Sequence, residues 1–315
     1  MITSNFLRKA LSSADQWDSS HIGELGQTAV PDFIFGPRHS AIIKGDLHSL
    51  WASWFLESIV DPARYTANGL TYVDIYADVF SRVEFIFSNS TKLEQEWVAK
   101  YFSDLVLQRV NSLKFKRNRK SYSSEIRLTL VERNVSKPRC WICGFLFADE
   151  TCDAFLNKRS LEFDNSHSFI DIYKPLGLDP RDSQIEIDHV VPHSAGGGDG
   201  DNLRLSCGWC NRHKGVFSSL YDVGGSAVLL RTSLHGVRSL PRKFWTVRLL
   251  GLVQRCEHPS GCTANVLSSE LTIEPIDELG VPNPANLRVV CGDHHRMGHT
   301  RLLPAEIVRK IWSSE

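Results

Sequence analysis

The stretch Ile185-Glu-Ile-Asp-His-Val-Val-Pro192 decides the fold of this chain. Its first half is an apolar, strand-like run that ends in the adjacent residues Asp188 and His189. Gly196 to Gly198 follow, and glycines allow a backbone to turn and to approach another molecule closely. The pair Cys207-Gly-Trp-Cys210 then opens a second element. The pattern indicates a strand and a tight loop that present a carboxylate beside an imidazole.

A second Cys-x-x-Cys pair, Cys140-Trp-Ile-Cys143, lies upstream of this stretch. Two such pairs supply the four thiolates that close a tetrahedral structural zinc site. A short unit of this kind has little core of its own, so metal binding supplies folding free energy. The spacing predicts a zinc ion on Cys140, Cys143, Cys207 and Cys210.

The order of these features resembles the HNH (ββα-metal) endonucleases, in the subgroup braced by a four-cysteine zinc. The resemblance rests on the Asp188-His189 pair, Pro192, the glycines, Asn202 and the two flanking Cys-x-x-Cys pairs. It covers roughly residues 125 to 220. It implies a ββα-metal unit that cleaves nucleic acid with the help of a divalent cation.

The resemblance also implies a role for each residue of the motif. His189 would be the general base, because an imidazole can take a proton near neutral pH. Asp188 would hold Mg²⁺ or Mn²⁺ through a carboxylate oxygen, and Asn211, directly after the last zinc cysteine, would be the second ligand. Adjacent strand residues point to opposite faces, so the strand end is expected to bend. Asn202 would pin the glycine loop and orient His189.

Further candidates follow on the same element. His213 lies about half a helical turn from Asn211, and metal binding, phosphate contact and simple solvation all stay open for it. Arg212 and Lys214 are expected to contact phosphates. Four residues of the upstream basic segment are further candidates for nucleic-acid contacts: Lys116, Arg117, Arg119 and Lys120.

Part of the pattern occurs a second time. Asn202-Leu-Arg, two residues and Cys207-Gly recur as Asn286-Leu-Arg, two residues and Cys291-Gly. Glu274-Pro275 or their neighbours stand where the first copy has Asp-His, so we predict a catalytically degenerate zinc unit. Its predicted ligands, with His295 competing for the last position, are Cys256, Cys262, Cys291 and His294.

The composition excludes a membrane protein and favours a cytoplasmic one. Hydrophobic residues make up 42% of the 315, no run approaches the roughly 18 apolar residues of a membrane span, and residues 1–20 lack a signal-peptide pattern. Six of the eight cysteines fall into three short-spaced pairs, which in a reducing compartment indicate metal ligands. Cys152 lacks a partner and is expected to be a small apolar or surface thiol.

Charge is segregated along the chain although its total is zero. Residues 1–99 hold twelve acidic and seven basic residues, a net −5, and residues 100–139 hold eleven basic and three acidic ones, a net +8. Residues 231–255 add six basic residues and no acidic one. Basic segments beside a nuclease-like motif suit phosphates, although such runs are also common as solvated faces, and both interpretations stay open.

We therefore predict an α+β chain of three parts. Residues 1–120 are expected to form a mostly helical domain that docks a protein partner or DNA. Residues 121–230 would form the HNH nuclease domain, with an insertion at 144–183, and residues 231–315 the degenerate zinc domain.

Within these parts the apolar periodicity predicts individual helices. Three are expected in the first part, over 47–59, 72–86 and about 90–113. One is expected before each cysteine cluster, over 121–134 and 242–255. The aromatic residues of the first part, Trp51, Trp54, Trp97 and Tyr101 among them, are expected to pack in its core.

Three functional hypotheses follow. The chain is an endonuclease that cuts duplex DNA, a nucleic-acid-binding zinc protein without catalysis, or an interaction protein that docks a partner through its acidic N-terminal domain. The resemblance alone implies a restriction or phage-defence setting. One such active site cuts one strand, so a double-strand break would need a homodimer or two sequential events. The sequence has no G-x-x-x-x-G-K-[ST] motif, so energy coupling would need a partner.

Overall fold

The structure, a computed structural model, describes residues 7–8, 10–11, 17–30, 36–67, 69–114, 122–133, 137–159, 167–191, 200–232, 236–295 and 301–312. Helices α1 to α9 of these residues are Ser19–Gln27, Gly36–Ile59, Tyr72–Ile86, Lys92–Lys114, Ser124–Glu132, Asp149–Leu156, Gly208–Lys214, Lys243–Val253 and Ala305–Trp312. Strands β1 to β8 are Phe169–Asp171, Ile185–His189, Leu203–Cys207, Val228–Thr232, Gly236–Leu240, Leu271–Pro275, Leu287–Cys291 and Leu302–Pro304. The strands form two-stranded antiparallel sheets, and the fold is α+β, as predicted.

The chain divides into two compact units, residues 1–45 and 46–315. The first contains α1, whose start is capped by Asp18, because its carboxylate accepts the backbone N–H of Ser20 at 2.8 Å. The domain boundaries proposed near residues 120 and 230 lie inside the second unit and stay a proposal.

Helices α3 and α4 form the helical part of the second unit. The sequence predicted both with nearly these bounds. Each begins with a threonine and an acidic residue three positions later: Thr71 donates its backbone N–H to Asp74 at 2.7 Å, and Thr91 donates its own to Glu94 at 2.8 Å. The shared core is aliphatic apart from one tyrosine and consists of Ile59, Val60, Tyr65, Ile75, Val79, Val83, Ala99, Val106 and Val110.

The prediction that the aromatic residues of this part pack in its core was wrong for four of them. Trp51 and Trp54 on α2 are 55% and 59% exposed, and Trp97 and Tyr101 on α4 are 69% and 52% exposed. The buried stripe of α4 instead passes through Ala99 and residues 103, 106 and 110. Small residues at its first two positions allow close helix packing, which leaves the bulky rings outside, where Trp97 and Tyr101 stack with their centroids 6.0 Å apart.

The central unit is a strand pair followed directly by a helix. Strands β2 and β3 pair with Ile185 opposite Cys207 and His189 opposite Leu203, and α7 begins at the next residue, Gly208. The knuckle at 140–143 lies against β3, since the backbone N–H of Trp141 donates to the carbonyl oxygen of Leu205 at 3.0 Å. This order, strand, strand, helix, is the predicted ββα arrangement.

The strand pair of the second copy repeats that of the central unit residue by residue. Strands β6 and β7 pair with Leu271 opposite Cys291, the same register that joins β2 to β3. The backbone N–H of Glu257 donates to the carbonyl oxygen of Val289 at 2.7 Å, which repeats the bond from Trp141 to Leu205. The described chain after β7 is a turn through residue 295, so the helix of the ββα unit is not seen within the described residues of this copy.

The insertion at 144–183 joins the far end of the chain. Its strand β1 pairs with β8, with Ile170 opposite Leu303. One buried apolar cluster forms around this strand pair, with residues from β1 and the position after it, β4, β5, β8 and α9. Its members are Ile170, Ile172, Leu230, Leu240, Leu303, Ala305, Val308 and Trp312. The insertion therefore supplies one strand of a core that residues distant in sequence complete.

None of the helices in the described part of the chain has both the length and the apolar character needed to cross a membrane.

Leu240→Ala is expected to lower the free energy of unfolding by about 2–5 kcal/mol, because Leu240 is fully buried in this cluster and the truncation leaves a cavity. Leu229→Ala, on the same hairpin but 58% exposed, is the matched control and should change it by less than about 0.5 kcal/mol. Urea unfolding followed by tryptophan fluorescence measures both. Equal losses would show that this cluster is not a core.

Candidate functional site

Four sulfur atoms meet where the knuckle at 140–143 lies against the junction of β3 and α7. Cys140, Cys143, Cys207 and Cys210 are all buried, and their sulfurs lie within 4.8 Å of one another. The sulfurs of Cys143 and Cys207 are 3.9 Å apart. Two thiolates on one tetrahedral zinc, each about 2.3 Å from the metal, would be about 3.8 Å apart. The cluster therefore fits the predicted zinc ion.

Local backbone geometry places two of these sulfurs. Cys207 caps α7, because its Sγ accepts the backbone N–H of Cys210 at 3.5 Å. The residue that follows Cys207 must be Gly208, since a Cβ there would lie 2.1 Å from the carbonyl oxygen of Arg181. Burial and the neighbouring sulfurs raise the pKa of both Cys207 and Cys210 well above the usual thiol value. A metal ion bound to the cluster would favour the ionised form of these two thiols.

Asp188 is a buried carboxylate with a donor on each oxygen. It is 5% exposed; its Oδ2 accepts the indole N–H of Trp141 at 2.9 Å, and its Oδ1 accepts the Lys214 ammonium at 2.9 Å. Burial raises the pKa of the Asp188 carboxyl above its usual value, and the charge and hydrogen bond of Lys214, with that of Trp141, oppose the rise. The ion pair therefore stabilises the charged form that burial disfavours.

His189 is the last residue of β2 and is half-buried. It stays in regular pairing with Leu203, so the expected bend of the strand end is not seen in this pairing. Its side chain therefore leaves the opposite face of the strand from Asp188. Its Nε2 lies 3.4 Å from the hydroxyl oxygen of Tyr122, and the two ring centroids are 6.4 Å apart. The Lys214 ammonium also donates to the carbonyl oxygen of His189, which ties α7 to the end of β2.

Asn202 holds the chain just beyond β2. Its side-chain oxygen accepts the backbone N–H of Val191 at 2.8 Å, and its side-chain NH₂ donates to the carbonyl oxygen of Val191 at 3.0 Å. The backbone N–H of Val190 donates to the carbonyl oxygen of Asn202 at 2.9 Å. These three bonds fix the chain directly after His189.

Asn211 contacts a carboxylate that the sequence analysis did not single out. Its NH₂ group donates to Oε2 of Glu186 at 2.5 Å. The other oxygen of Glu186 accepts the Arg181 side chain, also at 2.5 Å. Glu186 and Asp188 are two residues apart on β2, so they share one face of the strand. Asn211 is thus on the Asp188 side of the strand, bound to Glu186.

Comparison with known proteins agrees with this geometry. Residues 177–217, which include β2, β3 and α7, match the family model for HNH endonuclease. The central unit is an HNH unit. No curated protein and no solved structure matches the chain.

Two basic residues of the HNH unit, predicted to contact phosphates, lie in ion pairs with aspartates. Arg212 is 3.1 Å from Asp179 and also contacts Asp182. Asp182 is 1% exposed and further accepts the backbone N–H groups of residues 177 and 179. Lys214 is paired with Asp188 at 2.9 Å. Both side chains therefore brace the HNH unit, and their contact with phosphate stays a prediction.

His213 packs within the protein on the side of α7 away from Asn211. Its ring meets the edge of Trp209, with centroids 5.2 Å apart. Burial first, and then the charges of Lys243 and Arg212, lower the pKa of His213 to about 3. The imidazole is therefore neutral near pH 7. The ring thus has a packing contact inside the protein. This placement favours none of the three roles left open by the sequence, which were metal binding, phosphate contact and simple solvation.

The basic candidates Lys116, Arg117, Arg119 and Lys120 lie outside the described residues, as do Gly196 to Gly198 and Pro192. Their roles remain those that the sequence predicts.

A second cluster of ligands lies at the same place in the second copy. Cys256, Cys262, Cys291 and His294 have ligand atoms within 4.8 Å of one another, and the sulfurs of Cys262 and Cys291 are 3.9 Å apart. Nδ1 of His294 lies 3.3 Å from the sulfur of Cys291 and 3.7 Å from that of Cys256. The cluster fits zinc with three cysteines and a histidine, and His294, not His295, completes it.

The matched register shows what replaced the Asp-His pair. Asp188 pairs with Arg204 across the first sheet, and Glu274 pairs with Arg288 across the second. Glu274 therefore stands at the Asp188 position and Pro275 at the His189 position. Because proline has no basic side-chain nitrogen, the residue at the His189 position of the second copy offers no equivalent of the imidazole, as predicted.

Four side chains near the two centres were missed by sequence reasoning. Trp141 stands inside a Cys-x-x-Cys knuckle, and Glu186 lies two residues before Asp188, so spacing alone was sufficient to find both. Ser260 bridges the second cluster, since its hydroxyl lies 2.9 Å from Nδ1 of His258 and 3.3 Å from Nε2 of His294. Tyr122 precedes α5 and reaches His189 only through the tertiary fold, so no local signal marked it.

Cys207→Ser is expected to reduce the zinc content from two ions per chain to one and to lower the melting temperature, because one thiolate and the folding energy of the metal are lost. Cys152→Ser is the matched control, since Cys152 belongs to neither cluster. Elemental analysis and thermal unfolding measure the two effects. Full zinc content with an unchanged melting curve in Cys207→Ser would contradict the four-cysteine site.

The buried His213 predicts a pH dependence of stability. Its pKa is about 3 in the folded protein, against an ordinary value of 6.5, so the unfolded chain binds more protons between these two values. Stability is full above pH 6.5 and falls as the pH falls towards 3, by at most about 1.4 kcal/mol per pH unit. His213→Gln should reduce the loss of unfolding free energy between pH 7 and pH 5.5. Zinc content is followed in parallel, and equal slopes for both proteins would refute the assignment.

Proposed function

We propose that the HNH unit hydrolyses phosphodiester bonds of DNA, with His189 as the general base. The observation that carries the proposal is the difference between the two copies. Both keep the strand register and a cluster that fits zinc, but only the first ends its strand with Asp-His, and the second has Glu274-Pro275. A scaffold needs no imidazole at this position, whereas hydrolysis needs a base.

The chain's own residues support the following chemistry. His189 takes a proton from a water molecule as that water attacks phosphorus. A bond forms between the water oxygen and phosphorus, the bond from phosphorus to one ester oxygen breaks, and the departing oxyanion takes a proton from solvent. Tyr122, 3.4 Å from Nε2, orients the imidazole. Asn202 holds the backbone of Val191, two residues after His189. His189 is half-buried, so it is both held and reachable.

The divalent ion that the family implies does not fit the residues as they are arranged. Both carboxylate oxygens of Asp188 accept hydrogen bonds, one of them from a cation. Asn211 is bound to Glu186, which also accepts Arg181. Mg²⁺ and Mn²⁺ prefer open carboxylate and amide oxygens. A catalytic ion on Asp188 and Asn211 would require both side chains to exchange their present partners, and the hydrolysis by His189 is written without it.

The biological setting extends the proposal. The basic segments 100–139 and 231–255 would hold the phosphate backbone, with Lys116, Arg117, Arg119 and Lys120 among the contacts. A restriction or phage-defence role, a cytoplasmic location, a protein partner for the N-terminal part and a homodimer for double-strand cuts all belong to the same hypothesis.

One observation favours a second candidate, a zinc-stabilised nucleic-acid-binding protein without catalysis. Lys214 neutralises Asp188 and Arg212 neutralises Asp182, so the HNH unit is braced by pairs that need no metal or substrate. In this candidate, the Asp-His pair has only a structural role.

His189→Ala is expected to abolish plasmid nicking in the presence of Mg²⁺ or Mn²⁺ while DNA binding persists, because the base is lost and the charged surface is kept. His48→Ala, an exposed histidine of α2, is the matched control and should cut as the unchanged protein does. Gel assays on plasmid, single-stranded DNA and RNA, with and without chelator, measure cutting, and a gel shift measures binding. An intact plasmid under all metals would favour the non-catalytic candidate, and unchanged cutting by His189→Ala would remove His189 as the base.

A further inference from the structure

The Lys214 ammonium occupies an oxygen-lined position beside the Asp-His pair. It donates to Oδ1 of Asp188 at 2.9 Å and to the backbone carbonyl oxygen of His189. The side chains of Lys214 and Asp188 are only 12% and 6% exposed. A carboxylate oxygen and a backbone carbonyl oxygen are ligands that a hard divalent cation would take. The lysine thus fills a place with the chemistry of a cation site.

The surroundings hold the ammonium there. Lys214 ends α7, and Gly215, with φ +53°, ends the helix and turns the chain away. The ammonium lies 5.7 Å from the centre of the Trp141 ring, a distance at which an aromatic face attracts a cation. The same indole donates to the other oxygen of Asp188. Trp141 therefore contacts both partners of the ion pair.

The second copy shows that a buried carboxylate at this position is matched by an internal cation. Glu274, at the position of Asp188, is 2% exposed and lies 2.6 Å from Arg288. A buried carboxylate without a counter-ion is strongly unfavourable. In the second copy the cation comes from the neighbouring strand, and in the HNH unit it comes from the end of α7.

We propose that Lys214 competes with a divalent cation for Asp188, so that a metal ion binds at this carboxylate only after the ammonium has moved away. This rests on the proposed function in one respect, that Asp188 lies in the active site. An ammonium and a divalent cation repel each other, and one buried carboxylate oxygen cannot serve both at contact distance. The apparent affinity for the metal is then reduced in proportion to the fraction of protein in which Asp188 is open. Lys214 thereby sets the metal concentration that the site requires.

Removing the ammonium tests this competition directly. Zinc-loaded protein is titrated with Mn²⁺, and the free ion is measured by electron paramagnetic resonance. Lys214→Met should bind Mn²⁺ more tightly, on the order of tenfold, because the competing state is gone. Lys214→Arg keeps a cation and should bind Mn²⁺ as weakly as the unaltered protein does. Asp188→Asn should lose Mn²⁺ binding at this carboxylate. Lys100→Met removes the lysine of an exposed ion pair on α4 and should leave the affinity unchanged.

A second measurement uses the unaltered protein, since Lys214→Met leaves a buried carboxylate without its partner. Acetic anhydride labels free lysine amines, and mass spectrometry follows the peptide that carries Lys214. Saturating Mn²⁺ should raise the labelling rate of Lys214 several-fold and leave that of Lys100 unchanged. An unchanged or weaker Mn²⁺ affinity in folded Lys214→Met, or an unchanged labelling rate with Mn²⁺ bound, would overturn the competition. Absence of plasmid cutting alongside tighter binding would instead overturn the proposed function alone.

Discussion

The meeting of four sulfur atoms is the constraint on which the HNH unit depends. The knuckle at 140–143 and the pair at 207–210 are far apart along the chain, and the strands and helix between and beside them are short. Burial raises the pKa of Cys207 and Cys210, and a metal ion bound to the four sulfurs would supply folding free energy that these short elements lack. Once the cluster forms, Trp141 is fixed against β3 and Asp188, and the site is built around that contact.

The internal repeat separates scaffold from chemistry within one molecule. Both copies keep the strand register, a cluster that fits zinc and an asparagine that binds the chain just beyond the first strand: Asn202 does so at Val191 and Asn286 at Asp277. What differs is the end of the strand, where Asp188-His189 becomes Glu274-Pro275. The carboxylate persists in a longer form, and the imidazole does not. Features that both copies share are therefore those that the fold requires. The imidazole occurs only in the first copy, so the fold does not require it.

Buried charge is the second theme of the structure. Asp182, Asp188 and Glu274 are each nearly inaccessible, and each is paired with a basic side chain. Pairs of this kind add little net stability, but breaking one is costly. They join α7 to the loop before β2 and to β2, and β7 to β6. In the HNH unit the same kind of pairing gives Asp188 a resident cation, Lys214.

The sequence by itself determined the two clusters of candidate zinc ligands, the α+β class, the helices α3 and α4 and the second copy without the Asp-His pair, because these depend on local spacing and on residue chemistry. It did not determine which faces pack: Trp97 and Tyr101 are exposed since the small residue Ala99 gives the closer approach between helices. The pairing of β1 with β8, the contact of Tyr122 with His189 and the partners of Arg212 and Lys214 were decided only by the tertiary structure. Each of these joins residues that are far apart along the chain or selects one carboxylate among several, and neither choice leaves a periodic trace in the sequence.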